Sequence, residues 1–250
     1  MATVNQLMTY LEERIPKSLS MPGDNDGFSL IPHGEKEVTK IMLALDVTLE
    51  SVKAAKAAGA QLLVTHHPTI FAPLYSLRDT DAVGKRLIAA AEAGIALAGY
   101  HTRLDAAKDG VNDTLCALLG IEIEDSFENG LGRVGTLPSP ISFGELAARL
   151  ESALSTRQIT GMDVGRPVHR IAVVGGSGKS AFYNAYLTGA DTFLTGEAAH
   201  NTFLDARDLG MNLICATHYR TEVIVLPTLE RIIGEGFPHI RVVTYFDEKF

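Results

Sequence analysis

The chain has 250 residues, of which 46% are hydrophobic and 21% are charged. This balance is that of a folded globular protein and excludes a largely disordered chain. The formal net charge of −8 disfavours a surface that neutralises many phosphates, so nucleic acid is not an expected partner.

The sequence gives no sign of membrane insertion. The first residues, Met-Ala-Thr-Val-Asn-Gln-Leu, lack a basic stretch followed by an apolar core. No apolar run approaches the roughly 18 residues of a membrane span. Cys116 and Cys215 lie in apolar stretches, which favours buried reduced thiols over a disulfide. We therefore expect a cytoplasmic protein.

Short apolar runs alternate with longer amphipathic segments along the chain. This order is typical of an α/β fold whose sheets are mainly parallel or mixed. The predicted strands are Ile41–Leu45, Leu62–Thr65, Ile95–Tyr100, Arg133–Leu137, Ile171–Val174, Thr192–Thr195, Leu213–Ala216 and Arg241–Tyr245. The predicted helices are Leu49–Ala58, Val83–Ala93, Gly110–Leu119, Phe143–Leu154, Ser180–Thr188, Ala198–Leu209 and Leu226–Gly234. Ser142 and Glu145 have the spacing of a helix capping box.

A stretch rich in Asp, Asn, Gly and Pro near Glu124–Pro140 predicts a division into two αβ lobes. The expected lobes are residues 1–126 and residues 127–250. We expect the functional site between the lobes, at the carboxyl ends of their strands, where open α/β sheets bind ligands.

Two adjacent histidines, His66 and His67, follow the predicted strand Leu62–Thr65 and precede Pro68. Successive side chains of an extended chain point to opposite sides, so these imidazoles would serve two different ions more easily than chelate one. The pair therefore favours a dinuclear metal site. A structural or surface role for the pair stays open at this point.

A second candidate group follows the strand Ile95–Tyr100. Asp105 could supply an oxygen ligand, and His101 could contact a ligand residue or line the cavity. The alternative for Asp105 is a helix or turn cap.

The third group, His218 and Glu222, follows the strand Leu213–Ala216 at i,i+4 spacing. This spacing would place both on one face if the segment is helical, and within joint reach of an ion if it is a tight turn. Pro227 fits the first turn of a helix that starts near Leu226. The backbone of residues 219–225 is left open.

Together these strand ends offer three imidazoles and two carboxylates: His66, His67, Asp105, His218 and Glu222. This mixed set suits Zn, Mn, Fe, Co or Ni, and two such divalent ions held by a shared carboxylate activate water for hydrolysis. Glu197, which follows the strand Thr192–Thr195, is a candidate for proton transfer, as is His101. The alternative for Glu197 is a helix-terminal acid.

The segment Gly175-Gly176-Ser177-Gly178-Lys179-Ser180 looks like a nucleotide-binding P-loop but does not match one. The Walker pattern requires a glycine where this chain has Val173. We expect a glycine-rich turn between a strand and a helix near the metal cleft, with backbone amides that could meet an anion.

At these motifs the chain resembles the YbgI-like dinuclear-metal proteins, also called the NIF-three-like family and known under the name GTP cyclohydrolase I type 2. The resemblance runs through Thr65–Phe71, His101–Asp105, Gly110–Asp113, Gly132–Gly135, Gly175–Gly178, Gly189–Glu197 and His218–Glu222. It implies metal ligands at His66, His67, Asp105, His218 and Glu222, with Glu222 as the bridge. It also implies two interlinked αβ lobes and a homohexamer. The chain departs from the family at Gly23, where a Trp is usual, so it lacks the aromatic surface that the family presents there.

Two classes of function are consistent with these observations. The first is a metal-dependent hydrolase acting on a small molecule, such as a nucleotide, in the manner of a GTP cyclohydrolase. The second is a non-enzymatic metal-binding, regulatory or adaptor protein. Turnover with the metal-loaded protein would distinguish them.

Overall fold

A computed structural model describes residues 2–249. The chain forms two compact units. The first unit contains the residues up to Leu104 together with Leu226–Lys249, and the second contains Asp105–Val225. The first unit is therefore discontinuous in sequence.

The secondary structure alternates strands and helices. The strands are β1 (Ala2–Thr3), β2 (Gly27–Leu30), β3 (Glu37–Val38), β4 (Lys40–Ala44), β5 (Leu62–Thr65), β6 (Ala96–Gly99), β7 (Glu122–Phe127), β8 (Gly132–Ile141), β9 (Thr160–Met162), β10 (Val168–Ser177), β11 (Thr192–Glu197), β12 (Asn212–Cys215) and β13 (Arg241–Thr244). The helices are α1 (Val4–Arg14), α2 (Leu49–Ala58), α3 (Ala82–Glu92), α4 (Thr102–Ala106), α5 (Val111–Leu119), α6 (Phe143–Ala153), α7 (Phe182–Leu187), α8 (His200–Leu209), α9 (His218–Glu222) and α10 (Leu226–Gly236). Short 3-10 helices occupy Lys17–Leu19 and Val223–Val225.

The sheet of the first unit has the strand order β13-β4-β5-β6-β2. Its strands run parallel except β2, which pairs antiparallel with β6. Every residue of β5 and β6 is buried, as expected for strands in the interior of a parallel sheet covered on both faces. Their carboxyl ends therefore place the residues that follow them, His66 and His101, beside each other.

The sheet of the second unit is mixed, with the order β7-β8-β10-β11-β12-β9. The central strands β10, β11 and β12 are parallel, and the other pairings are antiparallel. One hydrophobic cluster packs against this sheet, with Phe182 and Phe193 among its fully buried side chains. The α/β architecture with mixed sheets is as predicted.

Helix boundaries follow local sequence signals. Helix α2 begins after a capping box in which Thr48 and Ser51 satisfy each other's backbone amides, and it ends at Gly59 in the left-handed conformation. Ser142 accepts a hydrogen bond from the Glu145 amide. The Glu145 side chain instead binds Arg149, so this predicted box forms only in its first half.

The units divide the chain differently from the expected boundary at residues 126 and 127. The turn-rich stretch that suggested the boundary is a hairpin, since β7 and β8 pair antiparallel within the second unit. Its turn has left-handed residues at Glu128, Asn129 and Gly130. The last strand, β13, pairs with β4 and so belongs to the first unit. Asp105 is the first residue of the second unit.

Over residues 2–249, no helix combines the length and the apolar composition needed to span a membrane. Cys116 and Cys215 are both buried and free. Burial raises the pKa of the Cys116 thiol to about 12 and that of Cys215 to about 11. The expected reduced thiols are therefore confirmed, and neither is poised as a nucleophile at neutral pH.

A buried arginine links separate segments of the first unit. The Arg103 guanidinium is 1% exposed and lies 3.1 Å from a carboxylate oxygen of Asp26, whose side chain is fully buried. It also lies 2.6 Å from Glu12, and it donates to the backbone carbonyl of Ile15 at 2.8 Å. The ring of Tyr100 packs against it at 4.8 Å.

Replacing Arg103 with Met should destabilise the protein by about 1–3 kcal/mol, because it leaves the buried Ile15 carbonyl without its donor. It also removes one of the two cations that contact the buried Asp26 carboxylate, the other being Lys17. Urea unfolding monitored by circular dichroism measures this loss. Arg207, which pairs with Asp208 on the exposed surface, is the matched control, and its substitution by Met should change stability little. Equal effects of the two substitutions would contradict the assigned role of Arg103.

Candidate metal centre

The first candidate ligands are fixed by the end of β5. The Thr65 hydroxyl donates to the His67 carbonyl at 2.7 Å, and the His67 amide donates to the Leu45 carbonyl at 3.0 Å. His66 is fully buried, and the His67 side chain is 17% exposed. The sequence left a surface role open for this pair, but His66 is buried and His67 is only partly exposed.

A carboxylate contacts the imidazole of His67. Asp46 follows the end of β4, the strand paired in parallel with β5. One carboxylate oxygen of Asp46 lies 2.8 Å from His67 Nδ1. The backbone pairing of the two strands therefore sets this contact.

The same arrangement recurs at His101, beyond the end of β6. Its Nδ1 lies 2.8 Å from Asp24 Oδ2. The Thr102 backbone amide donates to the same oxygen at 3.2 Å, and the Thr102 hydroxyl donates at 2.5 Å. Burial opposes ionisation of Asp24, but the hydrogen bonds from His101 and Thr102 prevail and hold its pKa well below the usual range.

His66, His67 and His101 form one cluster of nitrogen donors. Each offers a ring nitrogen, and these atoms lie within 4.8 Å of one another. The ring centroids of His66 and His67 are 4.8 Å apart, and His101 lies 5.5 Å and 5.7 Å from them. Phe71 packs edge-on against His101 at 5.1 Å. Converging imidazoles, two of them with Nδ1 on a carboxylate, are a donor set that fits a transition-metal ion.

In the second unit, α9 carries His218 and Glu222. The helix begins after Thr217, whose φ of 62° is a strained conformation for a β-branched residue. The Thr217 side chain caps the Arg220 amide. His218 Nε2 lies 3.1 Å from the buried Glu222 carboxylate. The i,i+4 spacing thus brings both predicted ligands together, and the segment left open by the sequence is helical.

Two glycines allow α9 to approach the sheet. A Cβ at Gly176 would lie well inside van der Waals contact distance of Glu222 Oε1, and it would lie 3.2 Å from His218 Nε2. A Cβ at Gly196 would lie 2.9 Å from the His218 Cα. Gly176 also adopts φ +60°. The glycines at the ends of β10 and β11 therefore form the surface against which the His218–Glu222 pair lies.

Glu197 contacts the other ring nitrogen of His218. The Glu197 carboxylate oxygen lies 3.1 Å from His218 Nδ1, and its side chain is 59% exposed. Asp105 is buried within α4, so it is not a cap residue preceding that helix. Its backbone carbonyl accepts a hydrogen bond from Asn112 at 3.4 Å.

The segment that resembles a P-loop is built differently from one. Strand β10 extends through Ser177, so Gly175 and Gly176 lie in a strand, and Gly178 lies just beyond it. The amides of Gly175, Gly176 and Gly178 donate to the side chains of Asn112, Thr221 and Thr195. These amides are engaged within the protein, so the expected anion-binding turn is not formed by them.

The structure thus places His66, His67 and His101 together in one unit and Glu197, His218 and Glu222 together in the other. Sequence reasoning missed Asp46 and Asp24. A signal existed for Asp46, since it directly follows a strand predicted to lie in the same parallel sheet as Leu62–Thr65. Asp24 lies in a loop remote in sequence, which no periodic pattern connects to His101.

Comparison with known proteins agrees with the resemblance found in the sequence. The family model of Duf34/NIF3 (NGG1p interacting factor 3) matches residues 2–248. A GTP cyclohydrolase 1 type 2 homolog of Clostridium perfringens is 33% identical over 240 residues, covering 93% of this chain and 91% of the relative. The structure of hypothetical protein SA1388 of Staphylococcus aureus has a TM-score of 0.88 at 27% identity, covering 99% of this chain and 98% of that one. Protein ybgI, described as of unknown function, also gives a TM-score of 0.88 at 27% identity, with 98% of each chain covered. The chain therefore belongs to the Duf34/NIF3 family.

Proposed function

We propose that this protein is a hydrolase that uses two divalent transition-metal ions. The proposed ligands are His66, His67, Asp105, His218 and Glu222, with Glu222 bridging the ions. The observation that carries the proposal is the convergence of imidazole nitrogens at the carboxyl ends of β5 and β6. Two of these imidazoles have Nδ1 against an aspartate, as metal-binding histidines usually do.

The donor chemistry narrows the class of metal. Three imidazoles and two carboxylates favour Zn, Mn, Fe, Co or Ni, whereas Ca and Mg prefer oxygen ligands. Glu222 would offer such an ion a buried carboxylate, for which the absence of a Cβ at Gly176 leaves room. When bound, such ions activate water and polarise the bond to be cleaved.

Protein side chains next to the ligands would move the protons. His101 is held by Asp24 at Nδ1, which leaves Nε2 as the nitrogen that exchanges a proton with substrate. Glu197 is exposed and contacts His218, so it could accept a proton from a bound substrate or return one. We propose His101 and Glu197 as the general acid–base residues.

The substrate proposal rests on the relatives. Several relatives carry the name GTP cyclohydrolase 1 type 2 homolog. Metal-activated water could open the purine ring of a nucleotide by hydrolysis. We therefore propose a nucleotide or a related small molecule as the substrate.

A substrate screen with metal-loaded and metal-stripped protein tests this function. The panel should contain nucleotides, phosphoesters and cyclic amides. We expect turnover of at least one nucleotide that is lost on stripping and restored by reloading. Stably bound metal without any turnover would instead favour the second candidate, a non-enzymatic metal-binding or adaptor protein, which the family description as an interacting factor supports.

The homohexamer implied by the resemblance stays a prediction. Light scattering at micromolar concentration should give a mass well above that of a dimer. A monomer or dimer would refute the hexamer and leave the metal proposal standing.

A further inference from the structure

Two histidines of the donor cluster each contact an aspartate through the same ring nitrogen. His67 Nδ1 lies 2.8 Å from Asp46 Oδ1, and His101 Nδ1 lies 2.8 Å from Asp24 Oδ2. An ionised carboxylate only accepts hydrogen bonds, so each Nδ1 must carry the hydrogen. In a neutral imidazole, Nε2 is then the lone-pair nitrogen.

We infer that Asp46 and Asp24 are positioning residues that hold His67 and His101 in the tautomer protonated at Nδ1, so that both present the Nε2 lone pair. For His67 this lone pair would bind metal, and for His101 it would meet substrate. The consequence for metal rests on the proposed function, whereas the tautomers themselves do not.

The backbone, rather than a flexible side chain, fixes the Asp46 contact. Asp46 lies two residues beyond the end of β4, and the His67 amide donates to the Leu45 carbonyl at 3.0 Å. The strand pairing therefore extends to the residue before Asp46. The Asp46 side chain is 45% exposed, so an ion pair there would contribute little to stability. The main effect of Asp46 is therefore to orient the imidazole of His67.

Asp24 is bound more tightly. Its side chain is 5% exposed, and it accepts hydrogen bonds from the Thr102 amide and hydroxyl as well as from His101. The Thr102 hydroxyl also accepts from the Met21 amide at 2.9 Å. Asp24 thus holds two consecutive residues at the end of β6, which restricts rotation of the His101 ring.

The tautomers can be read directly in metal-free protein. Ring carbon and nitrogen chemical shifts of ¹³C,¹⁵N-histidine-labelled protein at about pH 8 distinguish Nδ1–H from Nε2–H. We expect Nδ1–H at both His67 and His101. Asp46→Ala should convert His67 to a mixture of tautomers and leave His101 unchanged, and Asp24→Ala should do the reverse. The Glu50→Ala variant removes the same charge from an exposed helical site and should change neither.

The Asp24→Ala variant could lose its fold because Asp24 holds a buried turn. Asp24→Asn is the second variant, since an amide can donate to Nδ1 as well as accept from it and should shift His101 in the same direction. An unshifted tautomer in any folded variant, or Nε2–H in the wild type, would overturn the inference.

Metal affinity provides the second measurement. Competition with a chromophoric Zn²⁺ chelator should show about 10–100-fold weaker binding by Asp46→Ala than by the wild type, with Glu50→Ala unchanged. Equal affinities of wild type and Asp46→Ala would overturn the role of Asp46. A wild type that binds no Zn²⁺ would refute the proposed function, while the tautomer measurement would still decide the inference.

Discussion

Replacing Glu222 with Gln is expected to remove at least one metal ion per chain and to abolish any hydrolysis. Glu222 is 3% exposed, and its carboxylate lies 3.1 Å from His218 Nε2. A bridge needs two anionic oxygens, whereas Gln offers one neutral oxygen and an amide group that only donates. Elemental analysis of the loaded variant gives the number of ions. Far-UV circular dichroism should show that the fold is retained.

Glu197→Gln is the matched control, because it makes the same chemical change at the other carboxylate that contacts His218. We place Glu197 outside the metal ligands, and Gln can still accept from His218 Nδ1. This variant should retain both ions and lose only rate. Wild-type metal content in Glu222→Gln, or metal loss in Glu197→Gln, would show that the ligand assignment is wrong.

The second large effect is expected at Gly176, where alanine should sharply weaken metal binding. Its new Cβ would occupy the space of the Glu222 carboxylate and crowd His218 Nε2. The left-handed backbone adds a cost of about 1–2 kcal/mol for any residue with a Cβ. Chelator competition measures the affinity, and urea unfolding measures the strain.

Gly189 separates the two effects. It has φ +77°, and a Cβ there would meet nothing within 4 Å. Gly189→Ala should therefore lose only the free energy of unfolding that a Cβ costs in the left-handed backbone. Its metal affinity should stay that of the wild type. If Gly176→Ala and Gly189→Ala bind metal equally well, the space that Gly176 leaves beside Glu222 is not needed for metal binding.

The strongly periodic elements could be predicted from sequence. Helix α2 and strand β5 have the predicted bounds, and α10 begins at Leu226 with Pro227 in its first turn. Helices α2 and α10 each bury one face, and β5 is buried throughout, so packing and local preference agree. The predicted ligand groups depended on three predicted strands, Leu62–Thr65, Ile95–Tyr100 and Leu213–Ala216, which end where polar residues begin.

Other elements lacked such a pattern. In strand β7 only the last residue, Phe127, is buried, so the strand has no apolar alternation to detect. Helix α1 was missed although its signals were present. Thr3 and Gln6 form a capping box, and Val4, Leu7 and Leu11 are buried at helical spacing. The unit boundary was missed because it depends on the pairing of β13 with β4, a contact between strands remote in sequence.

The number of metal ions per chain tests the central claim most directly. Purified protein should be loaded with Zn²⁺ or Mn²⁺, freed of excess metal and analysed for its elemental content beside the His66→Ala and His67→Ala variants. We predict close to two ions per chain in the wild type and a loss in each variant, because five N/O ligands exceed what one ion with an open catalytic position normally takes from a protein. Saturation at one ion, with only one of the two histidines affecting it, would contradict the dinuclear site.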